Sequence, residues 1–259
     1  TLLFKKANML MFWCVALLLL SFSGNGYAQL LTENFSYTTA GPLQTAASPN
    51  WVAHNGTSNY VQYTNTGLTF SGHAGSGVGG AATTATTGVG DHNRTFTAQT
   101  SGTVYMSCLV NVTAVSATGD YFLHFNSTGT FAARIAATTS SGNLRFGLGK
   151  SAAPVAATTN FVLGTTYMLV VKYTYIAGAT NDQVDFWVLP TFAATETAAG
   201  APLQTFTAGT DATTLNAICI RQASPVPAAT IDAIRVGNTW ADIAPSASLI
   251  NGGTTSATA

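Results

Sequence analysis

From residue 29 onward the chain shows no helical repeat of apolar side chains. Short stretches in which apolar and polar positions alternate recur instead, separated by clusters of Gly, Asn, Ser and Thr. A period of two marks a strand with one face against a core, and turn formers between such stretches delimit them. The pattern predicts strands near 30–37, 60–64, 67–72, 93–99, 102–115, 119–127, 131–137, 143–150, 166–176, 183–190, 215–222 and 230–236. In 167–175, Leu169, Val171 and Tyr173 point one way and Met168, Val170, Lys172 and Thr174 the other. The apolar middle on both faces predicts a central strand. Strands of this number and length imply an all-β chain built as two packed antiparallel sheets.

Two stretches interrupt the alternation. Residues 73–92 are Gly, Ala and Thr with almost no large side chain, and 193–214 is a second Ala/Thr-rich connection; both are expected as surface loops. In the first, Gly75-Ser76-Gly77-Val78-Gly79-Gly80 has the spacing of a dinucleotide fingerprint. That fingerprint needs a strand before it and a helix N-terminus after it, and Ala81-Ala82-Thr83-Thr84 opens no amphipathic helix. At the start, Lys5 and Lys6 precede an apolar stretch over 9–20 and then small residues up to Ala28. The stretch is shorter than a membrane span and predicts a secretory signal peptide over 1–28. From 245 onward, Ser, Ala, Gly and Thr predict a flexible linker over 245–259 to covalently attached downstream domains. A single domain over 29–244 lies between, with no membrane segment after cleavage and a secreted or cell-surface location.

Charge then narrows the function. Charged residues make up 7% of the chain, against about 25% in an ordinary soluble domain. Without Lys5 and Lys6, seven basic residues stand against nine acidic ones, too few to build the basic stripe of a nucleic-acid binder. Cys108 and Cys219 remain in an oxidising compartment, either as a disulfide or as two buried thiols. Cys108 shares the alternating face of Val104, Met106, Val110 and Val112, which favours the thiol.

Glu33-Asn34-Phe35-Ser36-Tyr37, Gly41-Pro42-Leu43 and Trp51 at the start, the pair of strands Tyr167-Met168-Leu169-Val170-Val171-Lys172-Tyr173 and Val184-Asp185-Phe186-Trp187-Val188, and the ending Ile231-Asp232-Ala233-Ile234-Arg235-Val236-Gly237 with Trp240-Ala241-Asp242-Ile243 resemble secreted jelly-roll domains of the concanavalin A-like and laminin-G-like type. More narrowly, 29–243 is similar to an N-terminal domain of large exported proteins of Bacteroidetes-type bacteria. The resemblance implies a two-sheet antiparallel jelly-roll β-sandwich and says little about activity, because its motifs are structural.

Members of that superfamily include glycosidases, which use paired carboxylates flanking one cleft. Glu occurs here only at 33 and 196, each without partner carboxylates, and Asp182 and Asp185 lie three apart on a strand and so face opposite sides. No catalytic residue is assigned. His54, His73, His92 and His124 lack metal-binding spacing. Calcium is a weaker expectation, with Asp91, Asn93, Asp120 and Asp232 as candidate ligands and turn capping as their ordinary role. Asp120, His124 and Asn126 alternate away from Tyr121, Leu123 and Phe125, and Arg134, then Asn143 and Arg145, then Lys172 and Thr174 alternate likewise. If neighbouring strands pair, His124, Arg134, Arg145 and Lys172 line one sheet surface that can hold a polar or anionic glycan, with Trp187 as a stacking aromatic; the plainer reading is a wet sheet face. The expected function is a secreted, non-catalytic module contacting a polysaccharide or cell-surface glycan. The alternatives are a structural spacer domain and, more remotely, an unusual polysaccharide hydrolase.

Overall fold

The computed structural model describes residues 29–247 apart from 59 and 127. The predicted signal peptide and the linker beyond 247 lie outside the described residues. The strands are β1 (Leu31–Glu33), β2 (Gly41–Pro42), β3 (Val52–Ser58), β4 (Gln62–Thr64), β5 (Ala81–Thr83), β6 (Val89–Gln99), β7 (Thr103–Ala114), β8 (Asp120–Phe125), β9 (Ala132–Ser140), β10 (Asn143–Gly149), β11 (Val155–Ala156), β12 (Thr166–Thr174), β13 (Gln183–Leu189), β14 (Gln204–Phe206), β15 (Leu215–Ile220) and β16 (Ala228–Gly237). Three single-turn helices join them: α1 (Leu43–Ala46), α2 (Glu196–Ala199) and α3 (Trp240–Ile243).

The described strands form two antiparallel sheets, the all-β sandwich expected from the alternation. One runs β14-β13-β12-β7-β16-β5-β4-β2, with β1 also paired to β16, and the other runs β11-β10-β9-β8-β15-β6-β3. The core lies between them. Val104, Met106, Cys108, Val110 and Val112 of β7 and Leu169, Val171 and Tyr173 of β12 face Ile135 and Ala137 of β9, Leu144, Phe146 and Leu148 of β10 and Ile218 and Ile220 of β15. The opening motif closes one end of this core. The Glu33 carboxylate accepts hydrogen bonds from the Phe35 amide (2.5 Å), the Tyr37 hydroxyl (2.6 Å) and Trp51 Nε1 (2.8 Å), and pairs with Arg94. These bonds hold Phe35 in the left-handed region (φ 49°), which a bulky side chain adopts only when its surroundings enforce it. Its ring stacks on Trp51 at 5.8 Å.

The outer faces of the two sheets differ. On the β7–β12–β13 side, Tyr105, Leu109, Met168, Val170, Trp187 and Leu189 meet Phe70, Ala193, Trp240 and Ile243 in a second apolar cluster. This explains why 167–175 is apolar on both faces: an antiparallel sheet usually keeps one face wet, and here connecting segments cover it. Residues 67–72, expected as a strand, belong to this cover. Leu68 and Phe70 alternate as a strand would, but their amides donate to the Asp232 carboxylate (2.7 Å) and Ser76 Oγ (2.8 Å) rather than to a ladder.

The expected loop over 73–92 is corrected as well. Ala81, Ala82 and Thr83 form β5, between β16 and β4, with both alanines fully buried, and β6 begins already at Val89. Small side chains mark a tight fit there: a Cβ at Gly80 would lie 2.1 Å from the Thr64 carbonyl oxygen. At the other end of the described chain, the Ala74 amide donates to the Pro245 carbonyl and the Ala247 amide to that of Gly72, which ties residues 245–247 to the fold. Cys108 and Cys219 are free, buried thiols; Cys108 points into the main core, whereas Cys219 lies between the inward-facing Ile218 and Ile220 and so faces the outside of the other sheet.

Candidate functional site

The outer face of the β11–β3 sheet is only partly covered: His124 and Cys219 on it are buried, whereas Tyr121, Arg134, Thr138 and Arg145 are part-exposed. On β9 the core takes Ala133, Ile135 and Ala137, which leaves Arg134, Ala136 and Thr138 outward; on β10 Leu144, Phe146 and Leu148 point in, which leaves Arg145, Gly147 and Gly149 outward. The register pairs Arg145 with Thr138, Gly147 with Ala136 and Gly149 with Arg134. Because Gly147 and Gly149 have no side chain, the segment around Ala152 to Ala156 rests directly on β10; a Cβ on Gly149 would lie 2.5 Å from the Ala152 carbonyl oxygen. Between this segment and the turn ending in Thr118, Gly119 and Asp120 runs a groove of about 200 Å³ with Ala136 and Thr138 in its floor.

Beside the groove stands a compact aromatic and cationic group. Strand β8 pairs with β9 through two irregularities, one between Tyr121 and Leu123 and one between Leu123 and Phe125. Phe122, Leu123 and Phe125 therefore all reach the core, while the Tyr121 and His124 rings meet each other at 5.4 Å. The Arg134 guanidinium lies 5.1 Å from the Tyr121 ring centre and that of Arg221 4.2 Å. At these distances cation–π attraction holds the guanidiniums against the ring. Arg221 also donates to Asp120 (2.6 Å) and the Tyr121 carbonyl (3.2 Å). His124 is buried against Phe131 at 5.0 Å, its Nδ1 3.0 Å from the Phe125 carbonyl. Burial lowers its pKa to about 4, and the nearby positive charges of Arg134 and Arg221 act in the same direction. At neutral pH it is an uncharged packing residue, and the cationic character of the patch belongs to the arginines.

The sequence-predicted residues are thus only partly assembled. His124, Arg134 and Arg145 share the β11–β3 sheet. Lys172 and Trp187 lie on β12 and β13 of the other one, because those strands pair with β7 and with each other rather than with β10. Lys172 is spent on Glu196 (2.7 Å). Trp187 is buried, and its Nε1 donates to the Gly200 carbonyl (2.9 Å) while its ring meets Trp240 edge-on at 5.4 Å. Trp187→Phe should therefore lower the unfolding free energy by about 1–2 kcal/mol through the lost hydrogen bond and contact area, read as a lower denaturant midpoint, and leave any carbohydrate retention as it was.

The four candidate calcium ligands are not brought together. Asp232, on β16, is fully buried and accepts from the Leu68 and Ala233 amides, Asp120 holds Arg221, and Asp91 accepts from the Gln222 amide (3.1 Å); Asn93 stands beside Asp91 on β6. Among the described residues no three His, Cys, Asp or Glu are grouped to hold a metal ion. The acids weighed for hydrolysis are likewise committed: Asp182 to the Tyr173 hydroxyl (2.8 Å) and Ile176 amide (2.7 Å), Asp185 to Gln183 and Thr205, Glu33 to the opening motif and Glu196 to Lys172 and Tyr105. A hollow of about 400 Å³ at the sandwich rim is lined by Tyr175, Asp182 and Asp211. The Asp211 carboxylate in it is taken up by Lys150 and the amides of Asn181 and Asp182.

No family model matches the chain, and no curated protein does. Solved structures similar to it include the globular domain of T. cruzi calreticulin, with 9% identity over 82% of this chain and 88% of that one and a TM-score of 0.44. The metal-free carbohydrate recognition domain of Emp46p has 8% identity over 82% and 98% and a TM-score of 0.45. A carbohydrate binding module from Bacillus subtilis has 10% identity over 73% and 95% and a TM-score of 0.38.

Tyr121, Phe131 and Arg221 are the members of the patch that sequence reasoning misses. Strict alternation sends Tyr121 inward, and only the irregular pairing of β8 turns it out. Arg221 was within reach: with Ile218 and Ile220 apolar, the alternation already places Cys219 and Arg221 on the opposite face.

Proposed function

We propose that the chain is a non-catalytic, exported module that contacts a glycan or a glycan-bearing surface through the outer face of the β11–β3 sheet, within a larger protein. The observation that carries this reading is the asymmetry of the sandwich: one outer face is sealed by a second apolar cluster, and the other keeps a shallow groove with an aromatic ring and guanidiniums beside it. A sugar presents an apolar ring face and a rim of hydroxyls, which suits an aromatic surface next to planar donors. The apolar stretch behind Lys5 and Lys6 supports export. The test is affinity electrophoresis through gels containing individual polysaccharides. Retardation in at least one gel is expected, with Tyr121→Ala weakening it about tenfold, the scale of one lost aromatic contact, while the variant still unfolds cooperatively. Unretarded migration in every gel overturns the reading and leaves the spacer role.

A further inference from the structure

The chain has seven cations among the described residues, and five of them are matched by acids. Arg94 pairs with Glu33, Lys150 with Asp211, Lys172 with Glu196 and Arg221 with Asp120; Arg235 is buried with the charges of Asp232 and Glu33 beside it. The two left over are Arg134 and Arg145. Among the described residues neither has a carboxylate at ion-pairing distance: Arg134 donates from Nε to the Phe131 carbonyl (3.3 Å), and Arg145 donates from Nε to Asn160 Oδ1 (3.0 Å). Both stand on the β11–β3 sheet, on adjacent strands. Arg145 is level with Thr138, four residues along β9 from Arg134, so the two backbones are offset by about 13 Å along the strand direction at roughly 3.3 Å per residue. Ala136 and Thr138, the floor of the groove, lie within that interval.

From this placement we infer that the face selects an acidic polysaccharide, one whose sugar carboxylates or sulfates recur along the chain, with Arg134 and Arg145 each taking one anionic group. The inference rests on the glycan-contacting reading above and names the class of glycan. In a protein with so few charges, leaving two guanidiniums on one surface without an internal carboxylate, each with only its Nε hydrogen-bonded, keeps their terminal donors available for an external anion, and the planar fork matches a carboxylate or sulfate. The spacing favours a chain with separated single charges. A nucleic acid, with a phosphate on every nucleotide, needs a denser row of cations than seven basic residues against nine acidic ones can supply. The small floor residues and the hydroxyl of Thr138 leave room for a sugar between the two anchors.

The test compares polygalacturonate with its fully methyl-esterified form, which keeps the sugar backbone and removes the charge, alongside dextran sulfate and poly-glutamate, using the purified chain at low salt. Retention by polygalacturonate or dextran sulfate is expected, at least tenfold tighter than by the methyl ester, and it separates carboxylate from sulfate recognition. Arg134→Gln and Arg145→Gln should each weaken it about tenfold, the scale of one charge-assisted hydrogen bond, and Lys172→Gln, on the covered sheet, should not. If Arg134→Gln fails to fold, the more exposed Arg145→Gln decides alone. Equal retention of the methyl ester, or unchanged binding by both arginine variants, overturns this inference while leaving the glycan reading intact. Equal retention of poly-glutamate overturns it in favour of an acidic peptide. Retention by no polysaccharide overturns both.

Discussion

Glu33→Ala is expected to lower the unfolding free energy by about 3–5 kcal/mol, the cost of removing one partner from a buried, hydrogen-bonded ion pair. The side chain is 3% exposed. Its loss would leave the Phe35 amide, the Tyr37 hydroxyl, Trp51 Nε1 and the Arg94 guanidinium without the acceptor that joins them, and a buried donor without a partner costs its full desolvation. Phe35 would also lose the bond that holds it at positive φ. Against a total stability on the order of 5–15 kcal/mol, the variant should unfold at a much lower urea concentration. Glu33→Gln supplies the contrast, because an amide oxygen still accepts from Phe35 or Trp51, and it should cost less than the alanine variant. A loss below about 1 kcal/mol for Glu33→Ala would mean that the opening motif is held by aromatic stacking alone.

Acid should destabilise the fold over a defined window. His73, His92 and His124 are each buried, and burial is the largest cause that brings each pKa down from 6.5 to about 4. Between those values the unfolded chain binds protons that the native one does not, so stability is full above about pH 6.5 and falls as the pH drops towards 4. Each histidine contributes roughly 3 kcal/mol at 1.36 kcal/mol per pH unit. Asp232 acts in the opposite sense. Burial raises its carboxyl to about 7 from 3.8, so the native state there holds a proton that the unfolded state lacks, and its contribution fades as the pH rises. Three histidines outweigh one aspartate, and urea midpoints should fall clearly between pH 7 and pH 4.5. Asp232→Asn removes the opposing group and should steepen that dependence, whereas equal midpoints at the two pH values would show that the three rings take up protons without unfolding.

The fold was legible where side chains alternate strictly. Strands β7, β12 and β13 follow from period-two patterning, because each has an apolar residue at every second place, and Arg134 and Arg145 read as outward because apolar residues flank each of them on its strand. Strand β5 was not legible, since Ala81, Ala82 and Thr83 carry no bulk to mark a buried face and are small because their neighbours are close. The site was half legible for a different reason. Alternation assigns a residue to one of two faces but does not say which strands share a sheet, so it groups Lys172 and Trp187 with His124 although a whole core separates them. Nor does it register the irregular pairing of β8, which turns Tyr121 outward. The Glu33, Phe35 and Trp51 motif reads as structural from its residues, but one carboxylate serving four donors depends on a three-dimensional placement that no spacing along the chain reveals.

The seal over the β7–β12–β13 side also anchors the last described residues. Pro245 and Ala247 are hydrogen-bonded to Ala74 and Gly72, in the segment whose His73 ring meets Phe192 at 6.0 Å over the covered sheet. The last described residues are thus fastened to the covered side of the sandwich. Residue 247 sits on the covered side, and the groove with its arginines lies on the opposite face, a whole core away.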